Sequence, residues 1–122
     1  MSSRVLITAG ASGVGRAMAE AFDAAGAQVW VADVDADALA DCPAHWKQSQ
    51  LDVSDEDAVA AAFTDLETEW DGLDVLCANA GIAGPTAAVE DVSLTDWRSC
   101  LSINLEGSFL LMSSAKCPIL PS

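Results

Sequence analysis

These 122 residues contain no tyrosine, only five lysines and arginines, and a single histidine, His45. Each shortage removes a class of chemistry. Without tyrosine there is no phenol to give or take a proton. Nineteen acids against five bases leave a formal charge of −14, which repels nucleic acid and anionic membrane surfaces. Most of these acids read as solvated helix faces. One histidine and four cysteines (Cys42, Cys77, Cys100 and Cys117), with no C-x-x-C pair, lack the ligand spacing of a zinc site. Free cytosolic thiols are the simplest reading of those cysteines, and Cys77, inside an apolar run, reads as a small core residue. No run approaches the ~18 consecutive apolar residues of a membrane span. Met1 to Arg4 lead into a strand pattern and not into a secretory signal. The expected location is cytoplasmic.

Hydrophobic residues make up 52% of the chain, enough to fold around a core rather than stay disordered. Strand and helix patterns alternate. A buried strand is expected over Arg4 to Ala9, then a helix from Val14 to about Ala25 that Gly26 terminates. A second strand covers Gln28 to Asp33, a short helix Asp35 to about Asp41, closed by Pro43, and a third strand Lys47 to Asp52. Ser54 reads as the N-cap of the next helix, with Asp57 completing a capping box. That helix carries Val59, Ala62, Phe63, Leu66 and Trp70 on one face, and Gly72 ends it. A fourth strand covers Leu73 to Ala78, a loop Asn79 to Pro85, and one long helix Leu94 to Ala115, started by Ser93 or Thr95 and stopped by Pro118 and Pro121. Alternating β and α elements predict an α/β fold, a doubly wound, Rossmann-like parallel sheet of about four strands in order 3-2-1-4. Residues 1–115 form the domain and residues 116–122 a C-terminal tail.

The chemistry concentrates at Val5-Leu6-Ile7-Thr8-Ala9-Gly10-Ala11-Ser12-Gly13-Val14-Gly15-Arg16, a strand running through a glycine turn into a helix. A phosphate approaches such a turn only where side chains are absent, and backbone N–H groups at the helix start then hold its charge. Asp33 follows Gly13 by 20 residues, at the end of the second strand. A carboxylate there accepts hydrogen bonds from both hydroxyls of an adenosine ribose. It also repels a 2′-phosphate of roughly −1.5 to −2 charges, so NAD is favoured over NADP. Arg16 is placed either to contact a phosphate or to face solvent. The plainer alternatives are a purely structural turn and an Asp33 that only caps a helix.

The turn resembles that of the short-chain dehydrogenase/reductase family, whose pattern is T-G-x-x-x-G-x-G. Thr8, Gly13 and Gly15 match it, and Ala9 replaces the first glycine, adding one methyl that shifts the turn slightly. Leu51-Asp52-Val53 resembles the family segment whose aspartate binds the adenine ring. Cys77-Ala78-Asn79-Ala80-Gly81 resembles the N-N-A-G motif, which braces the sheet and lines the cofactor site. Ile103-Asn104-Leu105-Glu106-Gly107 resembles the helix segment whose asparagine belongs to the catalytic tetrad and holds a water in a proton relay.

The resemblance implies a cofactor-binding set of Gly10, Ser12, Gly13, Val14, Gly15, Asp33, Val34, Asp52, Val53, Asn79, Ala80 and Gly81, with Asn104 as the catalytic residue and no metal. Asp52 starting a loop, Asn79 acting structurally and Asn104 as an ordinary helix residue are the plain alternatives. The implied reaction is hydride transfer between a nicotinamide cofactor and a small alcohol or carbonyl substrate. The family's tyrosine, the lysine four residues later and its serine are not found here. Met112-Ser113-Ser114-Ala115-Lys116 has the Y-x-x-x-K spacing, but methionine does not titrate, and Lys116 reads as a favourable charge at a helix end. The chain therefore reads as the family's N-terminal, cofactor-binding half, truncated and inactive alone, its fourth strand left as an open edge. The other readings are a non-catalytic NAD-binding module and an assembly module. The oligomeric state is open, with a homo-oligomer among the outcomes.

Overall fold

A computed structural model of the protein describes residues 2–115. Four strands, β1 (Arg4–Thr8), β2 (Gln28–Asp33), β3 (Lys47–Gln50) and β4 (Val75–Cys77), form one sheet in the order β3-β2-β1-β4. All three pairings are parallel, with Leu6 opposite Trp30 and Leu76, and Trp30 opposite Lys47. The helices are α1 (Gly13–Ala24), α2 (Ala36–Ala40), α3 (Glu56–Trp70), α4 (Leu94–Leu101) and α5 (Gly107–Ala115).

Strand alternation sorts the apolar side chains into two layers. Val5, Ile7, Val29 and Val31 pack with Ala19 of α1 and Leu39 of α2 on one face. Leu6, Trp30 and Ala32 pack with Val59, Phe63 and Leu66 of α3 and Leu111 of α5 on the other. Trp30 meets Trp70 edge-on, with ring centroids 5.3 Å apart, and donates its indole N–H to Ser49 Oγ at 2.9 Å. A sheet buried on both faces explains why β1 and β2 read as continuous apolar runs.

The strand order and the two-sided helix placement agree with the sequence reading. Several boundaries do not. The N-cap of α3 is Asp55, accepting from Ala58 N–H at 3.1 Å, and not Ser54. Ser54 is already used: its N–H and hydroxyl donate to Asp52 Oδ1 at 2.9 and 2.6 Å. That local turn carries the chain off β3 and delays the helix by one residue. At the other end Asp71, not Gly72, takes the left-handed position after α3, with φ 58°. β3 and β4 are shorter than expected. The single long helix is also interrupted. Ser93 caps α4, and between α4 and α5 lies a π-helical turn, Ser102–Glu106. The chain after Ala115 (Lys116, Cys117, Pro118, Pro121 and the tail 116–122) lies outside the described residues.

Leu94, Trp97, Leu101, Leu105, Phe109 and Met112 form an exposed apolar row along α4 and α5. Among the described residues no helix is long and apolar enough to cross a membrane.

Candidate functional site

In the order β3-β2-β1-β4 the chain leaves β1 toward β2 and later returns to the other side of β1. The helices after β1 and β4 therefore diverge, and a crevice opens at the C-terminal edge of the sheet. The glycine turn sits at that edge.

The three glycines do different work there. Gly13 has φ +58°, a conformation that disfavours side chains, and space is open around the position a Cβ would take. Gly10 and Gly15 are closed in. A Cβ on Gly10 would lie 2.7 Å from Val31 Cγ1; one on Gly15 would overlap the Ala9 carbonyl and lie 2.7 Å from Asn79 Nδ2. The turn can thus bring α1 tightly against β1 while its outer side stays bare.

The N-terminus of α1 differs chemically from those of the other α-helices that have a described cap. Asp35 accepts from Asp37 and Ala38 N–H at the start of α2, Asp55 serves α3, and Ser93 accepts from Asp96 N–H at the start of α4. Ser12 makes no side-chain cap bond, and the first turn of α1 holds no acid. The positive end of this 12-residue helix is left for an anion. A pyrophosphate fits these residues: bare backbone, an uncapped helix end and an open approach over Gly13.

Asp33 ends β2 beside the turn. Ala11 N–H donates to its Oδ2 at 3.1 Å and Asp35 N–H to its Oδ1 at 3.1 Å. The carboxylate is pinned, half-buried, by the glycine turn itself. The cap of α2 is Asp35, so Asp33 is not that helix's capping residue. Arg16 does not reach toward it as a free cation; its guanidinium binds Glu20 at 3.0 Å and lies 3.7 Å from Asp41.

Next to Asp33 is a cleft of ≈ 130 Å³ that brings Asp33, Val34, Asp52, Val53, Ala80 and Gly81 together, with Ala9, Leu51, Ile82 and Ile103 completing its wall. Pockets for whole small molecules run from about 300 Å³, so this cleft has room for only one end of such a molecule. A roomier recess of ≈ 440 Å³ lies at the opposite edge of the sheet, around Ser2, Ser3, Arg4, Gln28 and Asp74. Its two charges, Arg4 and Asp74, neutralise each other at 3.0 Å, and no other ionisable group lines it. The smaller cleft keeps Asp33 and Asp52 on its wall with no cation lining it. The hydrogen bonds from Ser54 hold the Asp52 carboxyl below the usual carboxylate range, so it faces the cleft edge ionised. Burial pushes the Cys42 and Cys77 thiols up, which makes them poor nucleophiles at neutral pH.

Behind the cleft a buried hub joins the turn to the β4 loop. Thr8 Oγ1 accepts from Asn79 N–H at 2.9 Å and Ala80 N–H at 3.1 Å, and donates to the Cys77 carbonyl at 3.4 Å. Asn79 Nδ2 donates to the Thr8 carbonyl at 3.2 Å. Asn79 thus stands behind the cleft wall, tied to β1. Asn104, inside the π-helical turn, reaches over to the same loop: Oδ1 accepts from Ile82 N–H at 2.7 Å and Nδ2 donates to the Ile82 carbonyl at 2.8 Å. Its main-chain carbonyl accepts the Ser108 hydroxyl at 3.2 Å. Gly10, Ser12, Gly13, Val14 and Gly15 remain in the turn, outside the cleft's wall. Among the described residues no group of three His, Cys, Asp or Glu side chains could hold a metal ion.

A family model described as enoyl-(acyl carrier protein) reductase matches residues 8–121. The chain belongs to the short-chain dehydrogenase/reductase family. It is similar to the D-threitol dehydrogenase of Mycolicibacterium smegmatis, 40% identical over 114 residues, covering 87% of this chain and 43% of that protein. It is similar also to the cis-4-hydroxycyclohexanecarboxylate dehydrogenase of Sinomonas cyclohexanicum, 39% identical over 108 residues, covering 84% and 43%. The solved structure of an NAD+-bound xylitol dehydrogenase superposes with a TM-score of 0.88 at 25% identity, over 93% of this chain and 46% of that one. The chain spans about 43% of the length of these two curated relatives.

In this member of the family two features of the turn go beyond what local residue patterns show. Thr8, 0% exposed, was visible only as a pattern match; its cue is a threonine ending an otherwise apolar strand. Ala9 has φ 51°, so the family's first glycine is replaced at a left-handed position. The added methyl strains the backbone as well as occupying space.

Proposed function

We propose that this chain binds a nicotinamide dinucleotide across the C-terminal edge of its sheet, as the cofactor-binding part of a short-chain dehydrogenase/reductase. The observation that carries the reading is the pinned Asp33 beside an uncapped helix end. The turn formed by Gly10, Ser12, Gly13, Val14 and Gly15 receives the pyrophosphate. Asp33 accepts from the adenosine ribose hydroxyls, and Val34, Asp52, Val53, Ala80 and Gly81 enclose the adenine end. Asn79 braces the turn through Thr8.

NAD is the preferred cofactor. A 2′-phosphate placed near Asp33 meets a fixed carboxylate, and Arg16 is already held by Glu20 and Asp41. At an effective dielectric of ~20 each unit-charge pair a few ångströms apart costs a few kcal/mol. When bound, the cofactor supplies the hydride exchanged with a small alcohol or carbonyl. Asn104 takes part by fixing Ile82 at the cleft wall. With no tyrosine among the 122 residues, the family's proton donor is not supplied by this chain. The free thiols of Cys42, Cys77 and Cys100 fit a reducing, cytoplasmic setting.

Titration of the chain with NADH and NADPH, following fluorescence from its four tryptophans, tests the assignment. Saturable binding that favours NADH is expected. Binding of neither refutes it, and a preference for NADPH refutes the role given to Asp33.

A further inference from the structure

The fold segregates charge along the strand direction. Arg4 and Lys47 stand at the starts of β1 and β3, paired with Asp74 at 3.0 Å and Glu69 at 3.1 Å. The opposite edge carries the glycine turn and the cleft. There Asp35 and Asp37 start α2, Asp52 follows β3, and Asp55, Glu56 and Asp57 start α3. All six are exposed, and Asp33 stands among them. The cation beside this edge, Arg16, is tied to Glu20 and Asp41; Arg98 lies on α4, after β4. The arrangement has a physical cause. Carboxylates are favoured at helix starts, so the chemistry that caps α2 and α3 puts negative charge on the same edge of the sheet as the uncapped end of α1.

We propose that this rim makes dinucleotide binding depend on ionic strength in the inverse sense. Salt screens the acids and admits a ligand whose pyrophosphate is itself anionic, so affinity rises with salt. The inference rests on the cofactor reading above. The screening length falls from about 30 Å at 0.01 M to about 3 Å at 1 M. At 0.01 M several rim carboxylates act on the ligand together; at 1 M only those in contact do. An affinity gain of at least about tenfold follows for a doubly charged ligand that shares this edge with six acids.

The test is NADH titration of the full chain at 0.01, 0.1 and 1 M KCl, with far-UV circular dichroism at each concentration. The expected result is a Kd that falls at least tenfold while the dichroism stays constant. The triple variant Asp37→Asn, Glu56→Gln, Asp57→Asn removes three of the six rim charges, so it should bind more tightly in 0.01 M salt and lose about half of the salt response. The pair Asp65→Asn, Glu67→Gln, over 10 Å further along α3, should lose clearly less of it than the triple variant. A Kd that is flat or rises with salt overturns the proposal, as does a triple variant that responds like the parent. A chain that folds only in high salt overturns it too, because the response then belongs to the whole fold. Absence of NADH binding at every salt concentration, in a folded chain, overturns the cofactor reading itself and the salt dependence with it.

Discussion

Ala9→Gly should make this protein more stable, against the usual sign of an alanine-to-glycine change. Ala9 has φ 51° at the end of β1, where an L side chain crowds its own carbonyl at about 1–2 kcal/mol. Glycine removes that strain but gives the unfolded chain extra freedom, worth about 0.4–1 kcal/mol. The net gain is about 0.5–1 kcal/mol. With ~2.1 cal/mol/K of unfolding entropy per residue, a chain of 122 residues should melt about 2–4 °C higher. Urea titration and thermal melting by circular dichroism measure the change. Ala61→Gly is the control. Ala61 is exposed within α3, where the same substitution should destabilise by about 1 kcal/mol. If Ala9→Gly is neutral or lowers the midpoint while Ala61→Gly behaves as stated, the strain at Ala9 is not real.

Other consequences can be checked alongside it. Gly15→Ala places a methyl against the Ala9 carbonyl and Asn79 Nδ2, so it should destabilise by about 2 kcal/mol or more and abolish NADH binding; a variant that melts and binds like the parent contradicts the packing described. Asp33→Asn removes the charge but keeps a hydrogen-bond acceptor, and the NADH-to-NADPH affinity ratio should fall at least about tenfold, measured by paired titrations. Asn104→Ala deletes both bonds to Ile82, costing about 1–2 kcal/mol and accelerating hydrogen exchange at the Ile82 amide; unchanged exchange there would show the clamp to be idle. Arg4 holds the Asp74 carboxyl at about 2, below its unfolded value near 3.9. The folded-state pKa is depressed, so this contribution to stability is complete above about pH 4 and disappears as pH falls toward 2. Asp74→Asn should flatten the acid limb of a stability-against-pH curve in that window and nowhere else.

The order of strands and helices, the two-sided burial of the sheet and the position of the glycine turn could all be read from local pattern. Apolar runs of five or six residues, separated by amphipathic helices and glycines, admit few parallel arrangements, and 3-2-1-4 is the right-handed one that places β1 centrally. The separation of Asp33 from the turn is likewise set by one strand–helix–strand length. The three-dimensional structure decided the rest, because it depends on which of several competing hydrogen bonds the folded chain makes, some between neighbours and some between distant segments. Ser54 lost the cap of α3 to Asp55 because Asp52 had already engaged it. The helix after Ser93 breaks into a π turn around Asn104, whose side chain binds the Ile82 backbone 22 residues away. Ala9 reads as a one-atom departure from glycine, yet its left-handed φ arises where β1, Asn79 and Gly15 converge. Periodicity could supply the scaffold because burial repeats along the chain; the site's strain, clamps and acidic rim required three dimensions because each is a contact or a field between segments the chain keeps apart.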